Sequence, residues 1–384
     1  MMRLLVVAVS IGVVALAFIS GRQSSRPPIV SGELQSTEAL RRALEEPDDL
    51  LRVYLYSAYL QGLDASNLAR TLETIDASGR RLTNREVELL MLAWSRFDPD
   101  EAFSLALFSA DKEGRRGAGA ALYAWATHDP VAAQAALFGL KGDRLAEYLQ
   151  GRFVAGWVRG GGLADATRFV DEMPTGPNRE FLTGVIADEL VKTNAAAVIE
   201  WAEAIPAEAR EGYKSTVFKR STATLARVDP RATARWLGRH VDAEYAQGCI
   251  WVLAWNWVES DPRATLRWLE SLSPGTRRTE AVRKTFAQWL RSDRDQAESW
   301  LGAAEPSATL DPAVRLIVMQ RLDESPAAAV DWVRRIHDRG ARERLMVRIG
   351  KSWMKQDPDA ARRWIDSSGL PPAARRAIAN SKPS

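Results

Sequence analysis

Cysteine is almost missing from this chain. Cys249 is the only one in 384 residues, so an intrachain disulfide and a cysteine-rich metal site are both excluded. Histidine is nearly as scarce, with only His128, His240 and His337, and none has a second histidine four residues on, so a helical zinc motif is absent. Neither sign of charge dominates: 52 basic against 49 acidic residues leave +3. That excess is too small to argue for nucleic acid, which calls for a concentrated basic face. No metal or cofactor is expected.

Long apolar runs are also missing, with one exception. After Met1, Met2 and Arg3, the stretch from Leu4 to about Ser20 carries no charge. At roughly 17 residues it is just long enough to span a bilayer and longer than an ordinary signal-peptide core. Residues 1–20 are therefore expected to be a retained signal-anchor. Ala15 and Ala17 form a small-x-small pair that would mark cleavage in the alternative of a signal peptide, and no cysteine follows to make a lipoprotein. Arg3 lies before the run and Arg22 and Arg26 after it, so charge does not fix the orientation. The very short leading tail favours an exported body. The expectation is a single-pass inner-membrane protein with its body on the periplasmic side, or a cleaved periplasmic one. Residues 21–36, with Pro27 and Pro28, read as a linker that would keep the body near the membrane.

Tryptophan, in contrast, is abundant and periodic. Trp236, Trp268, Trp300, Trp332 and Trp364 follow one another at intervals of 32, each six residues after Pro230, Pro262, Arg294, Pro326 or Pro358. A fixed period of this length marks a repeat array. Asp before Pro recurs at Asp98, Asp129, Asp229, Asp261 and Asp357. Asp at an N-cap accepts backbone N–H groups, and Pro at the first helical position lacks only a donor that would be orphaned anyway. Weaker helix starts fall near Leu163, Ala195 and Arg294, and a second tryptophan stands five residues before many starts, at Trp94, Trp125, Trp257, Trp289 and Trp353. The spacing predicts short helices alternating with long ones, with paired indoles filling the wedge between hairpins.

Toward the N-terminus the column continues as Leu105, Ala136, Phe169 and Trp201, with steps of 31, 33, 32 and 35 to Trp236. A weaker unit begins near Asp64, preceded by a helix pair from Glu38 to Leu60. The chain is expected to be all-α, a right-handed α-solenoid of about ten two-helix repeats over residues 37–384, on the order of 100 Å along its curve. Gly369-Leu370-Pro371-Pro372 and the Arg-bearing segment after it read as a polar cap. This pattern resembles the α-solenoid superfamily of tetratricopeptide and HEAT repeats. The likeness is architectural: the tetratricopeptide Trp, Leu-Gly and Tyr offsets are absent and the period is 32 rather than 34. Asp-Pro-x-Ala repeats also look like those of bacterial proteins of unassigned role, and no functional residues carry over.

Chemical signals are sparse. The histidines sit at helix ends, where they read as capping or solvated residues. Gly160-Gly161-Gly162 follows no strand, so it reads as a loosened turn rather than a phosphate loop; Gly117-Ala118-Gly119 reads as close packing within a helix. Glu298-Ser299 invites comparison with lytic transglycosylases, but it lies inside a repeat with no lysozyme-like domain beside it.

The strict period lets each residue be judged against its own column. Leu253, Thr285, Ile317 and Ile349 form a core column, and Ile250, Val282, Val314 and Met346 form its neighbour. A third runs Lys219, Trp251, Arg283, Arg315, Val347, and a fourth Ala223, Trp255, Ala287, Met319, Lys351. Trp251 interrupts a basic column, with Trp255 one turn later. The candidate binding site is therefore Trp251 and Trp255 exposed in a groove and flanked by Lys219, Arg283 and Arg315. Such a platform suits an acidic peptide or an anionic glycan; local rotation of the helix would instead bury both rings. The expected function is non-enzymatic: a membrane-tethered scaffold or assembly factor that binds another protein at the cell envelope. A glycan-binding or glycan-processing envelope component, and a membrane-anchored foldase for a secreted client, are the alternatives.

Overall fold

The computed structural model describes residues 36–108, 112–140 and 143–380. The apolar run and nearly all of the linker fall outside them. Among the described residues every regular element is a helix, and no helix is long and apolar enough to cross a membrane. The chain divides into two compact units, with the boundary between Ala124 and Trp125.

The first unit holds α1 (Thr37–Glu45), α2 (Asp49–Gln61), α3 (Leu68–Ala77), α4 (Asn84–Trp94), α5 (Pro99–Phe108) and most of α6 (Lys112–His128). Its starts follow the expected cap chemistry. Ser36 caps α1, Asp48 caps α2, and Thr83 with Glu86 forms a complete capping box on α4. Glu86 is fully buried, and Arg52 Nε reaches its carboxylate at 3.1 Å, so the charge is paired as burial requires. Gly117 allows the close packing expected of it, since a Cβ there would stand 3.1 Å from Val87 Cγ1.

The second unit continues with α7 (Pro130–Phe138), α8 (Asp143–Arg159), α9 (Leu163–Asp171), α10 (Pro177–Leu190), α11 (Ala195–Ala204), α12 (Tyr213–Val228), α13 (Pro230–Gly238) and α14 (Cys249–Trp257). It closes with α15 (Pro262–Ser271), α16 (Thr276–Ser292), α17 (Arg294–Ala303), α18 (Asp311–Glu324), α19 (Pro326–Val333), α20 (Arg339–Gln356), α21 (Pro358–Ser367) and α22 (Pro372–Ala379). From α8 to α18 each even-numbered helix packs on the next even-numbered one, and from α11 to α21 each short helix packs on a long neighbour. The starts expected at Leu163, Ala195 and Arg294 are the first residues of α9, α11 and α17.

The aspartates cap as their position implies. Asp129, Asp229, Asp261 and Asp357 each accept the N–H three residues on, at 2.9–3.0 Å. Asp293 does the same for Gln296 although no proline follows it. The indoles pair across the same turns: Trp257 with Trp268, Trp289 with Trp300 and Trp353 with Trp364, at 6.2, 5.5 and 5.6 Å between centroids. These separations lie in the favourable range for tilted aromatic pairs. The first core column is fully buried at Leu253, Thr285, Ile317 and Ile349; in its neighbour Ile250, Val282 and Val314 are nearly so, while Met346 is half-buried.

One repeat departs from the pattern at two linked positions. Arg321 stands where Trp257, Trp289 and Trp353 stand elsewhere, and Arg294 replaces the helix-start proline. Arg321 contacts Glu298 at 2.5 Å and Glu324 at 2.8 Å, while Arg294 reaches Glu324 at 3.3 Å. Arg321 thus turns back to α17 in an ion network, whereas the tryptophans that hold its position elsewhere pair forward with the next short helix. The same network holds Glu298, whose carboxylate faces both Arg294 and Arg321.

The triple glycine is a tight stop, which corrects the expectation of a loosened turn. Gly162 N–H donates to Trp157 O at 3.0 Å and Gly161 N–H to Val158 O at 3.1 Å, the bond pair of a Schellman motif. Gly161 supplies the left-handed residue this motif needs, at φ +91°. Gly160 lies against the last turn of α6: a Cβ there would fall 2.2 Å from the Thr127 carbonyl oxygen.

Cys249 is buried at the start of α14, and desolvation pushes its thiol up to about 11. It should react with a thiol reagent at pH 8 only after unfolding. Rapid stoichiometric labelling of the native protein would contradict this burial.

Candidate aromatic and cationic binding face

Trp251 and Trp255 stand one turn apart on α14, so their side chains fall on one face. Their ring centroids are 5.2 Å apart with planes tilted by 54°. Trp255 is 47% exposed, which is rare for so large a ring, whereas Trp251 is half-buried. Of the two rings expected to lie open, one does. Trp251 is flanked by Trp255 and by Lys284 of α16, whose Nζ sits 4.9 Å from the Trp251 ring centroid, within cation–π range.

The three cations expected to flank the pair are placed differently. Arg283 donates to both oxygens of Glu280, at 2.9 and 2.7 Å, because the glutamate is one turn earlier on the same helix. That guanidinium holds the Glu280 carboxyl down at about 2. Lys219 is turned toward Glu180, 3.9 Å away, which Arg220 also contacts at 2.7 Å. Arg315 is exposed and, among the described residues, has no carboxylate partner. Arg283 and Arg315 do share a groove, of about 390 Å³, between α16, α18 and the start of α20. The structure therefore brings together Trp251, Trp255 and Lys284 as one cluster and Arg283 with Arg315 as a second.

Lys284 was missed from sequence because the basic column was followed through position 283 and not through its neighbour. The adjacent column reads Arg220, Val252, Lys284, Leu316, Arg348, so a cation next to the Trp251 ring was present in the pattern.

His240 differs from the solvated cap expected of it. Its Nδ1 lies 3.0 Å from the Tyr245 hydroxyl and its Nε2 3.1 Å from Glu203, with the ring edge-on to Phe218. Glu203 also accepts from Trp236 Nε1 at 3.0 Å. The cluster ties α11 to the end of α13, and both ring nitrogens are used internally. Partial burial alone would raise the Glu203 pKa, but hydrogen bonds from His240, Trp236 and Arg239 hold it below its ordinary value. A depressed carboxylate contributes stability above its unfolded pKa of about 4.3 and loses it as pH falls. Glu203→Gln should accordingly lower the melting temperature at pH 7, and the difference should shrink as the pH is taken down through the acid range. An equal shift at every pH would show that the carboxylate's charge is not what matters.

Among the described residues no three His, Cys, Asp or Glu side chains gather as a metal site. No protein-family model matches the chain, and no curated protein is significantly similar to it.

Proposed function

We propose that this chain is a non-enzymatic, right-handed α-solenoid of about ten two-helix repeats that binds another protein as a scaffold or assembly factor at the cell envelope. Its apolar N-terminal segment would tether it to the inner membrane with the body on the periplasmic side, or be cleaved to release it there. The successive packing of long helices in the second unit and the 32-residue tryptophan ruler support the repeat reading.

The observation that carries the binding reading is the tryptophan pair. Fourteen tryptophans are present, and the periodic ones are spent between hairpins, yet Trp255 projects into solvent beside Trp251 and Lys284. A large exposed aromatic anchored by a second ring and a cation has the make-up of an interface hot spot. The same pair suits stacking against a sugar ring, which keeps an anionic glycan as the second reading.

Trp255→Ala with Lys284→Ala in the full-length chain should reduce co-purification of a stoichiometric protein partner from the membrane fraction at least tenfold, with helicity unchanged. Retained co-purification would sink the assignment of this face. Loss of peptidoglycan retention instead, with no protein partner involved, would favour the glycan.

A further inference from the structure

The second cluster on this face has the features of a peptide-binding groove. Its floor is carbon: Leu316 and Met319 of α18, Ile336 in the loop before α20, and Leu345 in the second turn of α20. At about 390 Å³ it is large enough for one bulky side chain and the backbone that carries it. The Glu280 carboxylate already engages Arg283 on α16, while Arg315 on α18 is exposed and has no carboxylate partner among the described residues. The one carboxylate in the wall, Asp311, is taken up by the backbone N–H groups of His337 and Asp338, at 2.6 and 2.9 Å. On α20, Arg344 and Arg348 lie one residue before and three after Leu345. Both are exposed, and neither meets a carboxylate among the described residues. Apolar floor and unspent cations therefore stand side by side.

We infer that this groove binds an extended segment of a partner protein in which a bulky apolar residue lies two positions from an acidic one. In an extended chain, side chains two residues apart point the same way, about 7 Å from each other. The apolar side chain seats on Leu316, Met319, Ile336 and Leu345, and the carboxylate meets Arg315, which can hold it through two N–H groups. Arg344 and Arg348 raise the local positive potential and disfavour basic segments. The inference rests on the protein-binding reading and names the partner's chemistry.

A phage-displayed library of random dodecapeptides, selected on the full-length wild-type chain and on Arg315→Ala, tests it. The wild type should enrich sequences with an apolar residue and Asp or Glu two positions apart. The enrichment should fall at least tenfold on Arg315→Ala and on Met319→Lys, and persist on Trp255→Ala. Both Arg315 and Met319 are at least partly exposed, and circular dichroism verifies that the variants fold. No enrichment on the wild type, or the same enrichment on Arg315→Ala, overturns the inference. If the peptides fail while a partner is still captured through Trp251 and Trp255, only the groove assignment falls. If capture fails as well, the protein-binding reading falls with it.

Discussion

Trp236→Ala is expected to destabilise the second unit by about 3–5 kcal/mol, the usual cost of truncating a fully buried tryptophan. The ring is 2% exposed, stacks on Phe218 at 5.1 Å with planes 20° apart, and donates to Glu203 at 3.0 Å. Removing it opens a cavity under α13 and takes one donor from a carboxylate that depends on several. Thermal or urea denaturation followed by far-ultraviolet circular dichroism reads the effect, and the melting midpoint should fall on the order of 10 °C. Trp255→Ala is the control: the residue is 47% exposed, so its loss should cost far less than that of Trp236. Equal destabilisation by the two substitutions would contradict the division of the tryptophans into structural and exposed sets.

Gly160→Ala should cost about 1–3 kcal/mol or more through a single added methyl group. The obstacle is backbone, which no rotamer change can relieve. The new Cβ would lie 2.2 Å from the Thr127 carbonyl oxygen and 2.9 Å from its carbon, so the end of α6 must move away from α8. Gly176→Ala is the matching control, with nothing within 4 Å of its Cβ and an extended φ of 160°. It should be neutral in the same melt. A neutral Gly160→Ala would mean that α6 and α8 do not approach as closely as the structure has them.

What could be read in the sequence was whatever repeats. Asp before Pro announced α7, α13, α15 and α21 because the cap is a local interaction between residues three apart. The paired indoles were equally legible, since a tight turn fixes the distance between positions eleven apart. Unrepeated features that depend on a neighbouring helix were not. The triple glycine looked loose because nothing local shows that Thr127 lies against Gly160. The partners of Arg283 and Lys219 are Glu280 and Glu180, the first an ordinary helical neighbour and the second on α10, two elements away. Arg321 shows a further limit: the period marks its position as a tryptophan site, yet only the packing of α17 on α18 shows four charged groups there.

The candidate site was legible in the same uneven way. Breaking the basic column at Trp251 drew attention to this helix face, and of its two rings Trp255 is exposed while Trp251 is half-buried. The cation over the ring is Lys284 rather than Arg283, because Arg283 is held by Glu280 one turn earlier on α16.

The most direct measurement is site-specific photo-cross-linking in the cells that make the protein. A benzophenone amino acid is placed at Trp255 and, as a control, at Asp331, an exposed position on the short helix α19. Cross-linking from position 255 should yield one dominant protein adduct, identified by mass spectrometry, that disappears when Lys284→Ala is added. Position 331 should yield none of it. No adduct from 255, or the same adducts from both positions, would contradict a protein-binding role for the tryptophan face.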